Sequence, residues 1–254
     1  MAILTFHHVD KRFILGLNNY SPARFRNLLQ FLQAAGCGFV SLEEYLELSD
    51  SSKSIALTFD DGFEDFYIYA FQVLQELSIP AIIFIPAGFI GHPASWDYAG
   101  KCMHLNSAQI REISHAGIKV ASHGFSHTDL TTISGRLLKM ELDRSKKSLE
   151  DLTGKEVSFI SYPFARFSGE VEGYAIKAGY RKGFSLSGSS RSPYSFTISR
   201  SAVYATDTRF SVTRKLAGGL LNRLETVKGA VINSYAAGTV LLNRFKSPPF
   251  LSEG

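Results

Sequence analysis

The chain has 254 residues, of which 45% are hydrophobic and 20% are charged, and it carries a formal net charge of +4. This composition is typical of a globular protein with a sizeable core and argues against extensive disorder. Because the sequence has no basic run with interleaved aromatic residues, we expect no specific nucleic-acid binding. The mild positive charge leaves peripheral contact with a membrane surface open.

Targeting signals are absent from the sequence as written. No apolar stretch reaches the length of about 18 residues that a transmembrane helix requires. The first residues, MAILTFHHVD, contain no basic segment followed by a long apolar one, so we expect a cytoplasmic protein unless a further segment precedes them. Cys37 and Cys102 cannot form a CxxC metal motif, and nothing in the sequence requires a disulfide between them.

Short apolar runs alternate with longer segments of helical period, which is typical of β-α units on a parallel sheet. Strands are predicted at residues 2–6, 54–59, 81–85, 118–121, 157–161, 182–186 and 197–201. Helices are predicted between residues 21 and 36, from 41 to about 48, and at 66–77, 107–115, 135–152, 169–178 and about 210–224. This alternation predicts a single barrel-like domain over residues 1–254, in which residues 225–254 form a C-terminal extension of undefined structure.

Polar residues follow three of the predicted strands, and barrels of this kind carry catalytic groups at such strand ends. Residues 58–62 read TFDDG, and a turn at the glycine can bring both Asp60 and Asp61 to the barrel mouth. Residues 122–127 read SHGFSH, so His123 and His127 can reach one metal ion if the segment turns helically. Residues 161–164 read SYPF and form the third strand end.

One carboxylate and two imidazoles leave coordination positions for water and substrate, which a catalytic metal needs. The second carboxylate can then act as a general base on water. Each motif alone is more often a turn or a solvated helix face, but together at strand ends they predict a catalytic metal site. Zinc is the default ion for these ligands, with cobalt, nickel and manganese as alternatives.

The same segments resemble a known family. Residues 58–62 resemble the first motif of the polysaccharide deacetylases (the NodB-homology, carbohydrate esterase family 4 group), 122–127 the second and 162–164 the core of the third. The first two motifs occur in the right order about 60 residues apart, and a looser resemblance reaches about residue 220. The resemblance implies a distorted (β/α)7 barrel of the NodB-homology type. It also implies removal of N-acetyl groups from a sugar polymer or from its oligosaccharide or glycolipid precursor.

Roles for individual residues follow from this resemblance. It implies that Asp60 is the general base and that the metal ligands are Asp61, His123 and His127. It also implies that the backbone N–H of Phe164 stabilises the oxyanion. The neighbouring residues of the third motif, Tyr162 and Pro163, are predicted to contact the substrate.

The arginine of the family's third motif is missing here. It normally stands two residues before the proline and pairs with the base, but this position is Ser161. Arg166 or Arg200 could take its place, and both are predicted to lie at the substrate site.

The family's late histidine, which supplies the general acid, is also missing, since all seven histidines lie at or before His127. Some members of the family have a rearranged motif order and carry a tyrosine-histidine pair on the first strand. Residues 5–9, TFHHV, are similar to that pattern. We therefore predict that His7 is the acid and that His8 is structural.

One further substrate contact and three other functions remain open. Trp96 lies in the irregular region 88–103, where related sequences often carry an aromatic residue that stacks on a sugar ring. A catalytically inactive carbohydrate-binding homologue, a cyclic amide or imide hydrolase, and an O-acetyl esterase are the alternatives to a deacetylase. The complete ligand set argues against a metal-free hydrolase.

Overall fold

The computed structural model describes residues 1–12, 18–48, 53–94, 102–186 and 195–217, and its strands are parallel members of one sheet. They are β1 (Ala2–Phe6), β2 (Gly38–Phe39), β3 (Ser54–Phe59), β4 (Ala81–Ile85), β5 (Lys119–Ser122), β6 (Phe159–Ser161), β7 (Lys182–Ser185), β8 (Thr197–Ser199) and β9 (Ser201–Ala202). The order is β8-β7-β6-β5-β4-β3-β1-β9, and the short β2, which was not predicted, pairs with β3.

Closure of the barrel depends on the segment that contains β8 and β9. These strands are separated only by Arg200, yet β8 pairs with β7 and β9 pairs with β1. The segment therefore bridges the two edges of the sheet and leaves a nearly closed barrel of seven positions. The predicted distorted (β/α)7 barrel is confirmed.

Helices surround the barrel at the positions that the sequence predicts. They are α1 (Pro22–Ala34), α2 (Leu42–Glu47), α3 (Phe71–Glu76), α4 (Ser107–His115), α5 (Gly135–Thr153), α6 (Gly169–Lys177) and α7 (Arg209–Ala217). Ser21 caps α1, and Ser41 forms a capping box with Glu44 at the start of α2. Trp96, residues 218–224 of the last predicted helix and the extension 225–254 lie outside the described residues.

The predicted helix at residues 66–77 is present, but its first turn is a π-helix. Residues Phe66–Ala70 form a π-helix in which Phe71 N–H bonds to the Phe66 carbonyl, and α3 begins only at Phe71. Phe66 and Phe71 would lie on different sides of a regular α-helix, whereas the wider turn allows both rings to be buried.

Two hydrophobic layers result from the alternation of side chains along the strands. The outward-facing residues pack against the helices in the larger cluster. The barrel interior is filled by Ile3, Ala56, Ile82, Phe84, Ala121, Phe159, Phe184 and Ile198. Leu42 of α2 joins this inner cluster, so α2 covers the end of the barrel at which the strands begin. The opposite end is open to polar residues and forms the mouth.

Candidate active site

Five polar side chains continue the inward-facing rows of the strands at the mouth. Each lies two residues beyond a side chain of the same strand that already faces the interior, so the alternation also turns it inward. They are His7, Asp60, His123, Ser161 and Arg200, at or just beyond the ends of β1, β3, β5, β6 and β8. Residues from five strands therefore meet at one end of the barrel.

Asp61 stands next to this row and brings the two histidines together. It adopts a left-handed conformation with φ of 69°, which turns the chain sharply after Asp60. Its Oδ1 lies 3.3 Å from Nε2 of His123 and 3.2 Å from Nε2 of His127. The segment between the histidines does not turn helically, contrary to the predicted condition, because Gly124 and His127 have φ of 75° and 51°.

The tautomer of His123 is fixed by a neighbouring strand. Its Nδ1 lies 2.8 Å from the Ser161 carbonyl oxygen, to which it donates. Nε2 is then the atom that faces Asp61, which is the orientation expected of an imidazole ligand. Burial lowers the pKa of His123, but the hydrogen bond to Asp61 and the nearby carboxylate charges outweigh it and raise the pKa above its ordinary value.

The donor set fits a divalent metal ion. Asp61, His123 and His127 are the described residues whose ligand atoms come together as a group of three, all within 4.8 Å of one another. Metal bonds of about 2.0–2.2 Å place neighbouring ligand atoms about 3.0–3.5 Å apart, which agrees with the two distances from Asp61. Burial raises the pKa of Asp61, but hydrogen bonds from both histidines hold it well below its ordinary value. Its carboxylate is therefore charged, as a metal ligand must be.

Asp60 is held by a buried arginine. Its Oδ1 and Oδ2 accept hydrogen bonds from the two terminal nitrogens of Arg200 at 2.8 and 2.7 Å. The same guanidinium donates to Thr58 Oγ1 at 3.0 Å and to Ser161 Oγ at 2.6 Å. Burial raises the pKa of Asp60, but the charge and hydrogen bonds of Arg200, together with the charges of His123 and His7, outweigh burial and bring the pKa below its ordinary value.

The two candidate arginines thus have different environments. Arg200 pairs with Asp60, whereas the Nε of Arg166 lies 3.1 Å from Oδ2 of Asp129 and its side chain is 49% exposed. Arg166 therefore does not take the place of the missing arginine, because the loop after the third motif turns it towards Asp129. In this chain Ser161 and Arg200 together fill that place.

His7 is half-buried at the mouth. Burial lowers the pKa of His7 below its ordinary value, and the negative charges of Asp61 and Asp60 offset this only in part. His8 points elsewhere: its Nδ1 lies 2.6 Å from Oδ2 of Asp65, and its ring stacks on Phe63. The contacts of His8 are those of a structural residue, as predicted.

The third motif presents backbone rather than side chains to the mouth. Phe164 has φ of 58°, its ring contacts that of His127, and its N–H has no hydrogen-bond acceptor in the part of the chain that the structure describes. Tyr162 is 1% exposed, and its hydroxyl lies 3.2 Å from Thr197 Oγ1. The prediction that Tyr162 contacts the substrate is therefore wrong, because the inward position of Ser161 turns its neighbour outward. Pro163, the other predicted substrate contact of this motif, is buried too.

Two buried carboxylates that support the site are not predicted from the sequence. Glu141 of α5 is buried and accepts hydrogen bonds from the segment between His123 and His127. Asp65 is buried and holds His8 and the Val9 N–H. A signal existed for Glu141, because it stands in an apolar row of an otherwise amphipathic helix. Asp65 gave no comparable signal.

The barrel and the cluster at its mouth define the class of protein, and comparison with known families identifies it. The family model for polysaccharide deacetylases matches residues 48–183, which is just over half of the chain. The chain therefore belongs to the polysaccharide deacetylase family, as the motifs implied.

Individual relatives agree with this assignment. The chain is 32% identical over 133 residues to YxkH of Bacillus subtilis, covering 52% of this chain and 44% of that protein. It is 25% identical over 185 residues to the poly-β-1,6-N-acetyl-D-glucosamine N-deacetylase of Staphylococcus aureus, covering 67% of this chain and 62% of that protein. The chain thus spans less than two thirds of the length of these relatives.

Solved structures show the same fold. IcaB from Ammonifex degensii superposes with a TM-score of 0.74 at 22% identity, over 85% of this chain and 97% of that one. The deacetylase PplD of Streptococcus pyogenes has the same TM-score and coverage at 21% identity. Among the described residues, no helix is both long enough and apolar enough to cross a lipid bilayer.

Proposed function

We propose that this protein is a metal-dependent hydrolase that removes N-acetyl groups from an N-acetylated sugar polymer or from its oligosaccharide or glycolipid precursor. One observation carries the proposal: the Asp61, His123 and His127 cluster lies at the same mouth as a carboxylate that a buried arginine keeps charged. The Staphylococcus aureus relative, an N-deacetylase of poly-β-1,6-N-acetyl-D-glucosamine, supports an N-acetylated hexosamine as the substrate class.

A divalent ion held by Asp61, His123 and His127 would polarise the acetyl carbonyl and make water a stronger acid. Zinc is our first choice because two imidazoles and one carboxylate are ligands that it commonly takes. Asp60 accepts a proton from the attacking water, and Arg200 keeps the carboxylate ionised and oriented for this step.

The remaining groups act on the other atoms of the amide. The Phe164 N–H donates to the oxygen on which negative charge develops when water adds to the carbonyl carbon. Protonated His7 donates to the amide nitrogen as the carbon–nitrogen bond breaks, so the products are acetate and a free amine. Burial lowers the pKa of His7, and the negative charges of Asp61 and Asp60 favour the protonated form that this donation requires.

The test is acetate release from a panel of N-acetylhexosamine oligomers by the zinc-loaded protein. We expect release from at least one oligomer, and a loss of about 10²–10⁴-fold in kcat for Asp60→Asn with zinc content unchanged. Unfolding by urea should show that this variant is folded. Release that persists in Asp60→Asn would exclude Asp60 as the base. Release only from O-acetylated sugars would identify an esterase, and a folded zinc-loaded protein without any release would favour a non-catalytic carbohydrate-binding protein.

A further inference from the structure

Glu141 is a buried carboxyl group that the proposed chemistry does not use. It lies on the inner face of α5 and is 5% exposed. Its neighbours in the buried row of the helix are Leu138, Leu142, Ser145 and Leu149. Burial of a carboxyl group in such a row is unfavourable unless hydrogen bonds compensate for the lost water.

Those hydrogen bonds all come from the segment that separates the two histidines. Oε2 of Glu141 accepts from the backbone N–H of Phe125 at 3.0 Å and from that of Ser126 at 2.9 Å. Oε1 accepts from the Ser126 hydroxyl at 2.7 Å. Three donors therefore face one carboxyl group, an arrangement that suits its oxygens.

Other contacts hold the rest of the segment. The Gly124 carbonyl accepts from Ser145 Oγ at 2.8 Å and from Ala87 N at 3.1 Å. The Phe125 carbonyl accepts from Gly88 N at 2.8 Å, and a Cβ built on Gly88 would lie only 2.8 Å from that oxygen. Each residue between the histidines is thus held by groups outside the segment.

The segment needs this support because it is not a helix. An α-helix would fix the spacing of His123 and His127 by its own backbone bonds, but here Gly124 and His127 have φ of 75° and 51°. A left-handed conformation at His127 costs about 1–2 kcal/mol, so the segment would relax without external hydrogen bonds. Relaxation would move one imidazole relative to the other.

We propose that Glu141 is a positioning residue that fixes the separation of the His123 and His127 imidazoles and thereby sets the affinity of the site for its divalent ion. The inference rests on the proposed metal centre but is independent of the substrate. Mutation of groups that orient metal ligands typically lowers metal affinity by about 10–100-fold.

The experiment measures Zn²⁺ affinity of the chelator-stripped protein by competition with a chromophoric chelator. We expect Glu141→Ala to bind Zn²⁺ about 10–100-fold more weakly than the wild type. Glu141→Gln should bind within about threefold of the wild type, because one amide oxygen can accept both backbone N–H groups and the amide nitrogen can donate to the Ser126 hydroxyl.

Glu150→Ala is the matched control. Glu150 belongs to the same helix and also accepts a backbone N–H from outside it, that of Val157 at 3.0 Å, but it lies away from the histidines. We expect its Zn²⁺ affinity to equal that of the wild type. An equal loss in Glu150→Ala, or wild-type affinity in Glu141→Ala, would overturn the proposal.

Two further measurements separate the remaining outcomes. If Glu141→Ala does not fold, Ser126→Ala decides, because it removes one of the three hydrogen bonds and should weaken binding about fivefold; unchanged affinity would contradict the proposal. A wild-type protein that binds Zn²⁺ but releases no acetate would refute the proposed activity and leave the role of Glu141 intact. A wild-type protein that binds no Zn²⁺ would refute both.

Discussion

At the barrel end where helices lead into strands, the left-handed backbone positions directly follow helices and are mostly glycine. They are Gly36, Ser78, Gly117, Gly154 and Gly179. The mouth also contains left-handed glycines, but there four other residues adopt the same conformation. They are Asp61, His127, Phe164 and Ala165, with φ between 51° and 69°.

The difference shows where the chain accepts strain. Glycine ends a helix in this conformation without steric cost, whereas most other residues cost about 1–2 kcal/mol. Three of the four strained residues at the mouth, Asp61, His127 and Phe164, have a proposed role in metal binding or oxyanion stabilisation. Such strain is retained where the position of a functional group depends on it.

Charged groups differ between the two ends in the same way. A cavity of about 300 Å³ lies at the far end, and there Lys119 pairs with Glu43 while both side chains are about one-third exposed. At the mouth, Arg200 pairs with Asp60, and their side chains are only 0% and 3% exposed. We therefore expect substitutions at the mouth to change activity and its pH dependence, and those at the far end to change stability alone.

The largest effect on activity should follow His7→Ala. Loss of a general acid lowers kcat by about 10²–10⁴-fold, while zinc content and the urea midpoint of unfolding should stay unchanged. The loss should be much smaller for an aryl acetate, because its leaving group needs no proton. The matched control is His115→Ala, an exposed histidine at the far end of α4, which should leave the rate unchanged. An unaltered amide rate in His7→Ala would remove His7 from the mechanism.

Arg200→Met should lower both activity and stability. Removal of one partner of a buried pair costs about 3–5 kcal/mol, because the other charge remains buried. Arg26→Met is the control, because Arg26 pairs with Glu76 at the surface. Loss of an exposed pair should cost at most about 1 kcal/mol. Urea unfolding at pH 7 measures both. Equal losses would contradict the distinction between a buried and an exposed arginine.

Arg200→Met should also change the pH dependence of activity in a defined direction. In the wild type the folded-state pKa of Asp60 lies below its unfolded value of about 3.9. The Asp60–Arg200 pair therefore stabilises the fold fully above that unfolded value, and this contribution is lost as the pH falls through the folded-state pKa. Without Arg200, burial raises the pKa, so the acid limb of the profile of kcat/KM against pH should move to higher pH. An acid limb that stays in place would show that Asp60 does not control it.

The clustering of the three proposed metal ligands could be predicted because they lie in short local motifs. Asp61, His123 and His127 each follow a strand whose apolar run is visible in the sequence. The choice between Arg166 and Arg200 could not be made, because it depends on how the β8–β9 segment bridges two sheet edges far apart in the chain.

The prediction for Tyr162 is wrong because the motif does not reveal the direction of its side chain. Tyr162 was assigned to the substrate as part of a motif, although alternation from Ser161 places it on the outer face of the strand. The π-helix at residues 66–70 follows from packing of Phe66 and Phe71 against the core, which helical periodicity alone does not reveal. The helix caps at Ser21 and Ser41, by contrast, depend only on residues a few positions away in the chain.

The smallest effect is expected at the far end, where Ser78→Gly removes a strained residue. We expect the free energy of unfolding to rise by about 0.5–1 kcal/mol, because relief of the left-handed strain exceeds the added entropy of the unfolded chain. The inverse change, Gly117→Ser, should lower it by a similar amount, since a Cβ there meets no atom within 4 Å and only the backbone is affected. Acetate release should be unchanged in both, because neither residue approaches the mouth. A change in kcat with an intact fold would show that the two ends are coupled.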